Sequence, residues 1–263
     1  MATVSILFSN FALIAVMMCA GWLASVAARN VTLVDSLWGI GFVLVAWHTF
    51  FVSDGDLGRG LLLLVMVTAW GLRLSVHLSV RNWGHGEDPR YRKWREAAGE
   101  GFWWKSLFKV FLLQAVFLWV ISIGVQVGQI APQPEHLTVL DAAGFLIWLG
   151  GFVFESVGDW QLARFKADPN NHGKVMDRGL WAYTRHPNYF GEMLVWWGIF
   201  LVALSVPGGL WTVISPVVIT AVLIKMTGIP LTESSIEERR PQYADYRRRT
   251  RAFFPWFPKS KEL

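Results

Sequence analysis

The densest run of chemistry-bearing residues is Gly179–Glu192, GLWAYTRHPNYFGE. Pro187 suits the first turn of a helix, where its missing N–H is no loss. A helix is therefore predicted to begin there, with Arg185 and His186 immediately before it. Free backbone N–H groups, a positive dipole end and fixed cations converge at such a terminus, which suits a phosphate or carboxylate of a cofactor. Asn188 and Glu192 fall four apart on one helix face. An amide that donates and accepts would project beside a carboxylate one turn deeper, a pair able to hydrogen-bond a carboxamide. The simpler alternative is a capped helix whose Arg185 and His186 touch lipid headgroups.

Other ionisable residues interrupt apolar runs. Asp35 opens one, Arg73 and His77 lie four apart in another, Glu155 and Asp159 lie four apart near the end of a third, and Lys225 and Glu233 bracket the end of the last. A charge in hydrocarbon costs ~2.5 kcal/mol or more, so each marks a site or an internal ion pair. Neutralisation between helices or snorkelling is the favoured reading for Lys225 and Glu155. Function is favoured for Asp35, Asp159 and Glu192, which sit beside polar loops. Two further segments combine basic and aromatic residues. GHGEDPRYRKWR contains Arg90 and Tyr91, and the tail RRPQYADYRRRTRAFFPWFP contains Tyr243 and Tyr246. Their Tyr and Arg side chains could stack on and pair with a nucleotide, or anchor to headgroups. No dinucleotide glycine motif, P-loop, zinc motif or serine-hydrolase elbow is present.

The elements that must carry these residues are membrane spans. Of 263 residues 54% are hydrophobic and 16% charged, with 16 Trp and 18 Phe, which excludes an ordinary soluble enzyme. A helical crossing needs ~20 mainly apolar residues. Seven runs qualify: Val4–Ala28, Val34–Phe51, Leu61–Val80, Leu107–Val127, Leu140–Gly158, Tyr189–Val206 and Leu210–Ile229. The first lacks a basic leader and is too long for a typical signal core, so it is read as a span. Lys and Arg concentrate in cytoplasmic loops, and 21 of the 24 fall on one side of this arrangement. The expectation is an all-α integral membrane protein, one domain over residues 1–263, with seven transmembrane helices, the N-terminus outside and the C-terminus cytoplasmic. The net charge of +5 then reflects topology and anionic lipid rather than nucleic acid. Cys19, the single cysteine, is read as a small core hydrophobe. The long polar segments Arg81–Ser106, Asp159–Pro187 and 232–263 all fall on the cytoplasmic side, where a soluble cofactor would enter.

Taken together, DSLWG at the start of the second span, GEDPRYRKWR, DRGLWAYTRHPNYFGE and the tail resemble the bacterial branch of the steroid 5α-reductase family, over nearly the whole chain from the second span onward. The resemblance implies a seven-span bundle in the bacterial inner membrane that binds NADPH from the cytoplasm and reduces a carbon–carbon double bond conjugated to a carbonyl in a lipid-like substrate. It implies that Asn188 and Glu192 line the nicotinamide side of the pocket, within the signature N-x-x-G-E. Asp159 and Lys166 match an acidic–basic pair that contacts the nucleotide, with lysine where arginine is usual. Arg81 and Asn82 resemble a stretch after the third span that also meets NADPH. Asp35 stands where the steroid enzymes place a glutamate that polarises the substrate carbonyl. Trp70 stands where a tyrosine assists that glutamate, and Ser235 where a histidine lies near the cofactor.

The expected mechanism delivers hydride to the β-carbon while negative charge grows on the carbonyl oxygen, where a donor must sit. The candidates are Asp35 in its protonated form, Arg73 and His77. The cofactor-binding candidates are Arg81, Asn82, Arg90, Tyr91, Asp159, Lys166, Tyr183, Arg185, His186, Asn188, Glu192, Ser235 and Tyr246. The expected partners are a hydrophobic small molecule from the bilayer and membrane lipids, with no nucleic acid and no protein partner indicated. Arg185, His186, Pro187, Tyr189 and Gly191, with Glu237 and Glu238, also fit membrane methyltransferases of the isoprenylcysteine or phospholipid type, which use S-adenosylmethionine. A non-catalytic scaffold whose buried charges are all paired is the remaining alternative.

Overall fold

The computed structural model describes residues 3–226, 228–237, 240 and 242–259, with the backbone alone for 231, 234, 235 and 237. Every regular element among them is helical. Six helical stretches are long and apolar enough to cross a membrane: Thr3–Ala28, Leu33–Val52, Leu57–Asn82, Pro89–Ile121, Val139–Ala167 and Gly209–Met226. The chain is therefore a multi-pass membrane protein. Large apolar side chains such as Phe8, Val16, Val65 and Val76 lie exposed along these helices, as lipid-facing surfaces require. The described residues fall into two compact units.

The first unit comprises 1–142 and 200–215. It contains α1 (Thr3–Ala28), α2 (Leu33–Val52), α3 (Leu57–Asn82), α4 (Pro89–Ala98), α5 (Phe102–Ser106), α6 (Leu113–Ile121) and α7 (Ile123–Ile130), with a π turn at Leu107–Leu112 joining α5 to α6. Helices α2 and α3 pack backbone to backbone. A Cβ on Gly39 would lie 2.2 Å from the Gly71 carbonyl oxygen, and one on Gly71 would lie 2.6 Å from that of Gly39. Without a hydrophobic drive between helices in lipid, such close packing by small residues is a main source of cohesion. Several buried polar side chains in this unit bond to one another. Asn10 Nδ2 donates to Thr49 and Gln126, both at 2.8 Å, and Asn10 Oδ1 lies 2.7 Å from His48 Nδ1. Arg59, fully buried, reaches Asp141 through Nε at 2.9 Å and the carbonyls of Pro134 and His136 at 3.0 Å each.

The second unit comprises 143–199 and 216–263. It holds most of α8 (Val139–Ala167), then α9 (Leu180–Tyr183), most of α10 (Pro187–Leu204) and, from Pro216, most of α11 (Ile214–Ala221). The chain continues through a π turn (Val222–Met226), α12 (Ile229–Glu237) and α13 (Tyr243–Arg249). Helix α8 runs past the expected span end at Gly158, because Gln161, Leu162, Ala163 and Arg164 are good helix formers whether or not they lie in lipid. Helix α10 starts at Pro187 as its sequence predicts. It has 18 residues, with Asn188 and Glu192 in its opening turns, and is not among the six.

Helices α8 and α10 cross on glycines. A Cβ on Gly191 would meet the Glu155 backbone nitrogen at 2.5 Å and the Gly151 carbonyl oxygen at 2.7 Å, and one on Gly198 would meet the Gly144 carbonyl oxygen at 2.6 Å. The glycine of N-x-x-G-E is thus needed for packing whatever its neighbours bind. Because backbone is what an added side chain would strike, no rotamer change relieves it. Gly191→Val is expected to cost about 1–3 kcal/mol or more, read as a lowered melting midpoint of the detergent-purified protein. An unchanged midpoint would contradict this crossing.

Candidate functional site

In the first unit chemistry gathers where α2 and α4 begin. Asp88 caps α4, accepting from the Arg90 N–H at 2.8 Å, with Pro89 in the first turn. This is the Asp-Pro start signal of the GEDPRY segment, and it converts part of an expected loop into a helix. The segment is tied to the α1–α2 turn. Thr32 Oγ1 accepts from the Asp88 N–H at 2.7 Å, and Glu87 Oε1 accepts from the Val31 N–H at 2.9 Å. Arg95 donates to both oxygens of Glu87 at 2.9 and 2.7 Å and lies over the Phe102 ring at 4.6 Å. Burial pushes the Glu87 carboxyl up, but Arg95 and the Val31 N–H outweigh it and hold the group below its usual range. Asp88 is likewise held low against its burial, by hydrogen bonds from Arg90 and by the charges of Arg90 and Arg81.

This frame points Tyr91 at Asp35. Tyr91 is 5% exposed, and its hydroxyl donates to Asp35 Oδ1 at 2.9 Å. Arg90 Nη2 lies 3.6 Å from Asp35 Oδ2 while its Nε binds Asp88 at 2.9 Å. Asp35 occupies the first turn of α2, where the helix dipole favours a carboxylate. Tyr91, expected at the cofactor, is therefore the partner of the expected catalytic aspartate. Trp70 is fully buried and packs edge-on against Phe42 at 5.6 Å; the phenol that reaches Asp35 comes from α4. Arg73 and His77 sit half-buried on α3, and both are engaged within the protein. Asn82 ends α3; its Oδ1 accepts from Arg81 Nε at 3.2 Å, while its buried Nδ2 has no hydrogen-bond partner among the described residues.

In the second unit the pair before α10 closes on a carboxylate of the chain itself. Arg185 donates to Glu233 from Nε at 2.8 Å and Nη2 at 3.1 Å, and His186 Nε2 lies 2.9 Å from Glu233 Oε1. The His186 ring stacks on Tyr189 at 5.2 Å with parallel planes, and the Tyr189 hydroxyl meets that of Thr232 at 3.1 Å. The anion expected at Arg185 and His186 is thus Glu233, which sequence spacing placed merely near the end of a span. Burial pushes the Glu233 carboxyl up, yet hydrogen bonds from His186 and Arg185 hold it down at about 2. A carboxyl depressed on folding from its usual 4.5 stabilises the native state fully above that value and loses the contribution as pH falls toward 2. Thermal midpoints are expected to drop through this acidic window, and Glu233→Gln should flatten the drop while lowering the midpoint at neutral pH. An identical acid profile in the variant would contradict the clamp.

Of the remaining candidates, Asn188 lies in the first turn of α10 with a buried Oδ1 lacking a hydrogen-bond partner among the described residues. Asp159 is 6% exposed and Lys166 is exposed on the same helix; both, like Glu192, are engaged within the protein. Tyr183 packs edge-on against Phe257 at 6.0 Å. Tyr246 is 3% exposed and its hydroxyl donates to the Trp181 carbonyl, so it braces the tail rather than offering a stacking face. The side chains of Ser235, Glu237 and Glu238 lie outside the described residues.

An uncharacterized protein of Schizosaccharomyces pombe is 26% identical to this chain, over 89% of this chain and 75% of its own length. No solved structure matches. The model of one protein family, described as "Protein of unknown function (DUF1295)", matches residues 21–250, a stretch that includes both clusters. The chain thus belongs to the DUF1295 family.

Proposed function

We propose that the protein is an NADPH-dependent reductase of a conjugated carbon–carbon double bond in a steroid-like or other lipid enone. The carrying observation is the 2.9 Å hydrogen bond from the Tyr91 hydroxyl to Asp35. Its direction makes the aspartate the acceptor that orients the phenol and leaves the phenol as the group with a proton to share. Turned from Asp35 onto a substrate carbonyl, the hydroxyl would donate its single proton there and stabilise the charge that grows, while Arg90 faces the carboxylate it leaves. Methyl transfer to a thiolate, carboxylate or amine has no use for such a donor.

NADPH, when bound, supplies the hydride. Each unit holds a buried polar atom without a partner among the described residues that would suit a polar ligand: in the second, Asn188 Oδ1 could accept from an amide N–H, and in the first, Asn82 Nδ2 could donate to an oxygen. Both belong to the stretches through which the chain resembles steroid 5α-reductases. On this reading α10 is a seventh crossing, the N-terminus lies outside, the C-terminus is cytoplasmic, and the membrane is a bacterial inner membrane. The decisive assay uses NADPH carrying deuterium at the transferred position, with a steroid enone and an isoprenoid enone as substrates. Deuterium at the β-carbon of a saturated product supports the reading, and no saturated product from either counts against it.

A second reading, S-adenosylmethionine-dependent methyl transfer, is favoured by the convergence of Arg185 and His186 on Glu233. It joins the Arg-His-Pro element to an acidic residue of the C-terminal part, while the side chains of Glu237 and Glu238, the acids of the methyltransferase pattern, lie outside the described residues. It leaves the Tyr91–Asp35 pair without a role.

A further inference from the structure

We propose that a cleft formed by the tail of the second unit binds a phosphate group, a site independent of the reductase reading. After α13 the chain turns back and encloses an open cleft of about 560 Å³ between 247–251 and 256–259. Arg185, Arg247, Arg248, Arg249, Arg251 and Lys259 line it, and among the described residues no acidic side chain does. A charge run is ordinarily a solvated face that meets anionic lipid diffusely. Here the walls are tied. Arg185 Nη1 donates to the carbonyls of Arg247 at 3.1 Å and Thr250 at 2.6 Å, and its backbone N–H to that of Arg251 at 2.9 Å. The Lys259 N–H reaches the Arg249 carbonyl at 3.0 Å, and the Trp256 N–H reaches that of Tyr183 at 2.9 Å.

Part of the charge is answered from outside the cleft. Glu233 pairs with Arg185, and Asp245 with Arg248 at 3.0 Å and Arg249 at 3.4 Å. Arg251 is held differently. Its guanidinium carbon lies over the Trp256 ring, 5.1 Å from the ring centre. A guanidinium held by a cation–π contact can still offer N–H groups to a tetrahedral oxyanion. Trp256 and Phe257, 60% and 77% exposed, add the aromatic character typical of headgroup depth. A phospholipid headgroup and a soluble phosphate share the chemistry, and their sizes and anchors separate them.

The test titrates the full-length, detergent-purified protein with dioctanoyl phosphatidylglycerol, dioctanoyl phosphatidylcholine and inorganic pyrophosphate, following the melting midpoint. The variants are Arg251→Gln/Lys259→Gln and Lys259→Gln alone, which retains the Arg251–Trp256 contact. Phosphatidylglycerol or pyrophosphate is expected to raise the wild-type midpoint, at concentrations about tenfold higher in the double variant, with added salt weakening the effect. A response to phosphatidylglycerol alone identifies a lipid headgroup, and one to pyrophosphate alone a soluble phosphate. Three outcomes overturn the proposal: no response to either, an equal response to phosphatidylcholine, or identical titrations for wild type and both variants.

Discussion

Tyr91→Phe is expected to lower enone turnover by about 10²–10³-fold, the usual loss when one donor to a developing oxyanion is removed. The ring stays in its buried slot, so the loss should fall on kcat with KM changed little, the pattern of a contact made in the transition state. Asp35→Asn should be at least as damaging. It replaces the acceptor that orients the phenol and removes the charge that Arg90 faces across 3.6 Å. Neither change alters Asn82 or Asn188, so NADP⁺ should still raise the melting midpoint of both variants. Wild-type turnover in Asp35→Asn would remove the basis for calling this pair catalytic. If the pair merely braced α4, both variants would melt earlier and turn over normally per folded molecule.

The largest effect on stability is expected from Asp141→Asn. Arg59 and Asp141 are 0% and 1% exposed. Asp141 accepts from Arg59 at 2.9 and 3.3 Å, from the Thr138 N–H and hydroxyl at 2.7 and 2.8 Å, and from Ser205 at 3.1 Å. Removing the negative charge strands a buried guanidinium, which costs about 3–5 kcal/mol. Arg59→Met/Asp141→Leu removes both charges and should recover part of that loss, because a buried pair contributes little net stability beyond an apolar replacement. The measurement is the thermal midpoint of the single and double variants. A double variant at least as destabilised as the sum of the two singles would show that the pair is not coupled in this way.

The same residues mark where the sequence was readable. Apolar runs located the helices, since ~20 residues of low polarity have few alternatives to crossing lipid. They did not locate the helix ends: α3 continues to Asn82 and α8 to Ala167 because Arg, Lys and Gln propagate a helix as well as Leu does. Arg59 falls just outside the expected span Leu61–Val80, and hydropathy cannot see the carboxylate 82 positions away that pairs with it. The Tyr91–Asp35 and Arg185–Glu233 pairs were hidden for the same reason, being 56 and 48 positions apart. A local signal existed for the first of them. Asp88-Pro89 is a helix start, and a helix starting there places Arg90 and Tyr91 in its first turn rather than on a loose loop. Asn188 was legible from the α10 start alone, and its buried Oδ1 has no hydrogen-bond partner among the described residues.

The most direct test of the reductase reading is ligand-dependent melting of the purified protein with NADPH, NADP⁺ and S-adenosylmethionine in parallel. A ligand present at about a hundred times its Kd adds about 2.7 kcal/mol of stability, enough to resolve. The account predicts that both nicotinamide nucleotides raise the midpoint and S-adenosylmethionine does not. A rise with S-adenosylmethionine alone would contradict it.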